Sequence, residues 1–259
     1  MKKLLLAALL MASATLFAQS PFDGTWMTKL DTAKFPTKPD KYSLTNNMYE
    51  CLTCVPKVAV KADGNDQKVT GHPYYDTLAV KVVNASSVEL IEKKDGKVMG
   101  TDTRTVSSDG NTLNDKFTDT TGSQPVTGAV TSTRVSPGPA GSHAVSGAWR
   151  TSKVDSVSSN GLTVTYQGTA DGLKMSDPNG NSYDAKFDGK DYPIQGDPGH
   201  TMVSLKRIGT DTIEETDKRD GKVVGVNRMT VSKDRKSIHI EFIDKERGTT
   251  TTATMEKQS

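Results

Sequence analysis

Cysteine is almost missing from this chain: 259 residues contain only Cys51 and Cys54. Two cysteines cannot build the multi-bridge framework of a small secreted scaffold, and alone they cannot complete a four-ligand zinc site. Aromatic residues are scarce, at 6%, with only two tryptophans, so there is little material to line a large apolar cavity. Neither sign of charge is in excess: 33 basic residues face 31 acidic ones. No run of Lys or Arg is interleaved with aromatics, which makes nucleic acid and anionic membrane surfaces poor candidate partners. Beyond the first residues no stretch approaches the ~20 apolar residues that a spanning helix needs, so no transmembrane segment is expected in the mature chain. An apolar stripe at helical spacing is missing as well. So is a Gly-x-Ser-x-Gly elbow, which would need a strand-to-helix turn.

What is present begins with residues 1–18, which read as a signal peptide. Lys2 and Lys3 supply the positive end, Leu4 to Phe17 an apolar stretch too short for an anchor, and Ala14 or Ala18 a small residue before the cut. Cleavage after Ala18 is favoured. The expected location is the periplasm or the extracellular space of a bacterium.

The rest of the chain repeats itself. Residues 62–119 lie over residues 187–244 without a gap, and 19 of the 58 positions are identical. A long fixed period marks duplicated units. A stretch rich in proline and glycine, residues 136–143, falls between the copies and reads as a linker. The expected organisation is therefore a first unit over 19–135 and a second over 144–259. Each opens alike, with Phe22-Asp23-Gly24-Thr25-Trp26 before the first copy and Val145-Ser146-Gly147-Ala148-Trp149 before the second.

Between turns the pattern has period two. Ile238, Ile240 and Phe242 alternate with His239 and Glu241, and Leu162, Val164 and Tyr166 alternate with Thr163 and Thr165. Such runs, rich in β-branched residues, are the mark of antiparallel strands. Asp-Gly and Asn-Gly pairs, as at Asp95-Gly96 and Asp220-Gly221, punctuate them and tolerate the positive φ of tight hairpins. The predicted fold is all-β: two tandem up-and-down meanders of about eight or nine strands each, closed into barrels that hide their edges.

The Gly-x-Trp on the first strand resembles the opening of lipocalins, and Phe22-Asp23-Gly24-Thr25-Trp26 is similar to that of intracellular fatty-acid-binding proteins. The full mature chain also resembles uncharacterised secreted bacterial proteins with one or two such units, through segments like Asp188-Gly189-Lys190-Asp191-Tyr192-Pro193. The resemblance implies a lipocalin-like barrel with the tryptophan plugging one end, and no established activity. Two family features are missing: an Arg-x-Tyr near the C-terminus, where Arg247 is followed by Gly248 and Thr249, and the lipocalin Thr-Asp-Tyr.

Two clusters carry candidate chemistry. Cys51 and Cys54 read first as a local disulfide; a redox pair would need a helix after Cys54, and haem attachment would need His where Val55 stands. Gly71-His72-Pro73-Tyr74-Tyr75-Asp76 gathers an imidazole, two phenols and a carboxylate. Strand alternation would place His72 and Tyr74 on one face and Tyr75 on the other. A turn whose aromatics pack at a barrel rim is the simpler reading, and His72, Tyr74, Tyr75 and Asp76 are the candidate ligand contacts. Neither cluster recurs in the second unit.

The leading expectation is an exported, non-enzymatic protein of two lipocalin-like barrels that binds a small hydrophobic molecule. It has no catalytic residue, no cofactor and no metal. The alternatives are a structural or protein-interaction module with filled barrels, and a small redox or acid–base enzyme using Cys51/Cys54 or His72/Asp76.

Overall fold

The computed structural model of the chain describes residues 20–259, so the expected signal peptide over 1–18 lies outside the described residues. The described chain is all-β. Its strands form two antiparallel sheets of ten strands, each curled into a nearly closed barrel. No helix among the described residues is long and apolar enough to cross a membrane.

Strand β1 (Gly24–Lys34) opens the described chain but does not pair with the strands that follow it. The first barrel begins at β2 (Asp40–Thr45). It continues through β3 (Met48–Cys51), β4 (Val58–Lys61), β5 (Asp63–Lys68), β6 (Thr77–Asn84) and β7 (Ser87–Lys94). It then runs through β8 (Lys97–Val106), β9 (Thr112–Asp119), β10 (Val126–Pro137) and β11 (Gly147–Val157). Strand β11 pairs with β10 along most of its length and closes the sheet onto β2 through Gly147↔Tyr42 and Trp149↔Asp40.

The second barrel uses β12 (Thr163–Gly168), β13 (Gly172–Ser176), β14 (Ser182–Lys186) and β15 (Tyr192–Pro193). Next come β16 (Met202–Arg207), β17 (Thr212–Arg219), β18 (Lys222–Val231), β19 (Ser237–Asp244) and β20 (Thr249–Lys257). Its tenth strand is β1, inserted between β12 and β20 with Trp26 opposite Val164 and Lys257. A bridge between Ser182 and Gln195 brings the two edges of this sheet together.

This corrects the expected boundaries of 19–135 and 144–259. The first barrel is one continuous stretch, 40–157, and the second is assembled from both ends of the described chain. Residues 136–143 are no linker between units. They belong to the β10–β11 hairpin of the first barrel, where Pro137 still pairs with Gly147. The true crossings are residues 35–39 and the short 3-10 turn at Ser159–Gly161. The reason is that both copies open on the same Gly-x-Trp strand, so β1 and β11 fit either barrel and each occupies the other copy's. Ten strands rather than eight or nine follow from short strands such as β15. They follow also from the Asn46-Asn47 hairpin between β2 and β3, where both residues have positive φ.

The barrel floors are solid. Trp26 and Trp149 are buried, and their indole N–H groups donate to Phe22 O (2.8 Å) and Val145 O (2.9 Å), four residues upstream in each case. The Arg134 guanidinium lies 3.9 Å over the Trp149 ring, and Lys257 Nζ lies 5.2 Å over Trp26. Apolar layers above them, Val80, Val88 and Leu113 in the first barrel and Leu205, Ile213 and Ile238 in the second, complete the two cores. Burial on this scale contributes about 1.5–3 kcal/mol per large aliphatic side chain.

Candidate functional site

Toward the other end of each barrel the interior turns polar and opens. In the first barrel, inward alternation on β7 runs Val88, Leu90, Glu92, and on β8 Val106, Arg104, Asp102. Arg104 is the hub. Its Nε donates to Asp115 Oδ2 at 3.0 Å, its Nη1 donates to the Tyr49 phenol at 2.7 Å, and Asp102 Oδ2 lies 3.7 Å from Nη2. The guanidinium also stacks 4.5 Å from the Tyr42 ring centroid. Burial raises the Tyr42 and Tyr49 phenols above their ordinary value, with Arg104 opposing. Burial, helped by the neighbouring Asp102, pushes Glu92 up to about 7.

Arg104 and Glu92 line a cavity of about 320 Å3 whose walls include Leu78, Leu90, Tyr42, Tyr49 and Tyr75. The Cys51–Cys54 disulfide forms part of the rim, with Cα atoms 5.4 Å apart. The expected local bridge is therefore present, and β4 rather than a helix follows it.

The second barrel carries a cavity of similar size, about 330 Å3, lined by Met175, Ile194, Phe242, Glu215 and Asp217 among others. Here the Tyr183 phenol donates to Glu215 Oε2 and the Tyr166 phenol to Met229 Sδ at 3.2 Å. Burial raises both carboxyl groups of the Glu215–Asp217 pair, and Asp217 further raises Glu215.

The predicted cluster 71–76 is the β5–β6 loop of the first barrel, not a strand, and so its side chains do not alternate as expected. His72 stacks on Tyr75, with ring centroids 4.5 Å apart and planes 15° apart, and both line the first cavity. Burial lowers the His72 imidazole and raises the Tyr75 phenol. Tyr74 leaves in the other direction. It lines the second cavity, packs on Gly199 and lies 5.4 Å under the Arg219 guanidinium. Asp76 faces neither cavity; its Oδ2 accepts the backbone N–H of Asp95 at 2.9 Å and fixes the β7–β8 hairpin. The structure thus joins His72 to Tyr75, sends Tyr74 to the neighbouring barrel and separates Asp76 from the imidazole.

The exchange is mutual. Arg247, from the β19–β20 hairpin of the second barrel, pairs with Asp40 on the rim of the first and lines its cavity. Lys94 of the first barrel donates to Pro73 O (2.6 Å) and Pro198 O (3.0 Å), tying the two mouths together. Between them lies a groove of about 560 Å3 bounded by Val55, His72, Pro198, Arg219 and Glu246. His72 belongs to the walls of both the groove and the first cavity, and Arg219 to both the groove and the second.

Period-two reading misses Glu92, Arg104 and Asp115, and Glu215 with Asp217. Charged residues in such a pattern are assigned outward. The signal was there in the repeat: Leu90, Arg104 and Asp115 align with Glu215, Met229 and Ile240, positions where charge and apolarity trade places.

The fold and its interior define an all-β protein of two interlocked barrels, each with a polar-based cavity at its open end. No protein-family model matches the chain, and no curated protein is detectably similar to it in sequence.

Proposed function

We propose that the chain is an exported, non-enzymatic small-molecule-binding protein whose ligands sit in the open ends of its lipocalin-like barrels. The first cavity carries this reading. Its roughly 320 Å3 lies at the small end of the range for ligand pockets, and it combines apolar and aromatic walls with a few fixed polar groups. Tyr42, Tyr49, Tyr75, Leu78 and Leu90 would hold an apolar body, while Arg104 and Glu92 give its polar end a hydrogen-bonding partner. The expected small hydrophobic ligand is thereby sharpened to an amphiphilic one. Export is supported by the reading of residues 1–18 and suits a disulfide, which persists in oxidising compartments.

The test is native mass spectrometry of the intact protein purified from its secreted fraction, beside a Leu90→Phe variant that fills the first cavity. A retained small molecule, reduced or lost in the variant, is the expected result. No adduct, together with no thermal shift against a panel of small amphiphiles, overturns the proposal.

A further inference from the structure

The two barrels solve the same electrostatic problem differently. In the first, the acidic face of the interior has its own cation: Arg104 lies among Asp102, Asp115 and Tyr49. In the second, the aligned position is Met229 and the acidic face has grown inward, because Glu215 stands where the first copy has Leu90. Glu215 and Asp217 follow each other along the inner face of β17. Across the ladder, Asn227 is paired with Glu215 and Gly225 with Asp217. Glu215 accepts a hydrogen bond from the Tyr183 phenol. Two acceptors remain: the Oδ1 atoms of Asp217 and Asn227 are buried and have no hydrogen-bond partner in the protein. A buried acceptor without a donor has lost its water and gained nothing in return, and the loss is greater if it is charged.

The nearest cation, Arg219, sits at the rim. Its Nη1 lies 3.6 Å from Glu246 Oε2, its Nε donates to Thr201 Oγ1 at 3.3 Å, and its guanidinium covers Tyr74. It tempers Asp217 without reaching the deeper Glu215. Met175, Ile194, Val224 and Phe242 give the cavity an apolar side for a ligand body, beside further polar residues such as Asp177, Asp197 and Asp244.

We infer that the second barrel's cavity takes an organic cation, a protonated amine on a compact apolar body, whose ammonium group is held by Glu215 and Asp217. The ligand supplies the charge that Arg104 supplies in the first barrel. An ammonium has donors and no acceptor, which suits the carboxylates of Glu215 and Asp217 and the unpartnered Asp217 Oδ1. It also removes the repulsion between two carboxylates that are costly to ionise side by side. The small cavity restricts the body to about one ring and a short tail. This inference rests on the ligand-binding reading of the barrels and names the class of one ligand.

The test uses the full mature chain and three probes of one shape: tyramine, 4-ethylphenol and 4-hydroxyphenylacetate, cationic, neutral and anionic at pH 8. Calorimetry should show tyramine binding at least tenfold tighter than 4-ethylphenol, with the anion weakest. The E215Q/D217N variant should bring the amine and the neutral phenol level. M229R, which installs the cation of the first barrel, should weaken tyramine at least tenfold. Because M229R leaves both carboxylates in place, it tests the site independently of their removal. Circular dichroism checks that both variants fold. Equal binding of all three probes, or tyramine binding unchanged in both variants, overturns the cation assignment and leaves the barrels as ligand binders. Failure of all three probes while a small molecule is retained in the first barrel also overturns it alone. Failure of the probes with no adduct in either barrel overturns both readings.

Discussion

Arg104 and Asp115 face each other inside the first barrel, Nε to Oδ2 at 3.0 Å, and the aligned residues of the second barrel are Met229 and Ile240. One chain therefore contains both an ionic and an apolar version of the same interior contact. Removing one member of a buried pair strands the other charge, at a cost of about 3–5 kcal/mol, whereas replacing both by apolar residues of similar volume is often neutral or stabilising. Arg104→Met should accordingly lower stability by about 3–5 kcal/mol in urea unfolding, while R104M/D115I recovers most of that loss. If the double variant is no more stable than the single one, the pair is not a self-contained unit.

Glu92 makes the first barrel sensitive to pH. Its carboxyl titrates near 4.5 ordinarily and near 7 in the fold, so between those values the folded protein holds a proton that the unfolded chain releases. The stability this group contributes is full below about pH 4.5 and is lost as pH rises through 7. Glu92→Gln should remove that loss and raise stability at pH 8 by about 2 kcal/mol relative to its effect at pH 4, after a discount for partial exposure. Thermal unfolding of both proteins across pH 4–8 reads the difference; parallel curves would refute it.

The interlocking of the barrels has a direct biochemical signature. A single cut in the β10–β11 loop, at residues 139–141, leaves each fragment holding strands of both barrels: β1 with β2–β10 on one, β11 with β12–β20 on the other. The nicked protein should stay together on a sizing column and separate only in denaturant. Conversely, residues 40–157 alone, which hold all ten strands of the first barrel, should fold by themselves. Clean separation of the native nicked fragments would falsify the exchanged topology.

Local structure was legible where the chemistry is local. Asp95-Gly96 and Asp220-Gly221 adopt the positive φ that their residue types favour, and the buried faces of β6, β16 and β19 begin on Leu78, Val203 and Ile238 as alternation requires. The Cys51–Cys54 bridge follows from spacing, since nothing else is available to either sulfur. What alternation cannot convey is which sheet a strand joins. Gly24-Thr25-Trp26 and Gly147-Ala148-Trp149 present the same inward tryptophan, so pattern alone assigns each to its sequence neighbours. Nor does alternation flag a charged residue pointing inward, because Arg104 is tolerable there only through Asp102 on its own strand and through Asp115 and Tyr49 on two others. The split of Tyr74 and Tyr75 between barrels was hidden for a related reason: a loop that contains Gly71 and Pro73 has no obligatory side-chain period.

The position of β1 also sets an order of assembly. Its partners are β12 and β20, so Trp26 meets Val164 and Lys257 across separations of 138 and 231 residues. Contacts so remote in sequence close slowly, and chains generally acquire structure from the N-terminal side as they emerge. Strand β1 inverts that habit. It is synthesised first and docked last, while β2–β11 already form a complete sheet beside it. Until β11 arrives, β1 is also the rival for its place between β2 and β10, since both strands carry the same tryptophan signature. Productive maturation of this chain is thus a contest between two nearly interchangeable strands, decided only when the second of them is made.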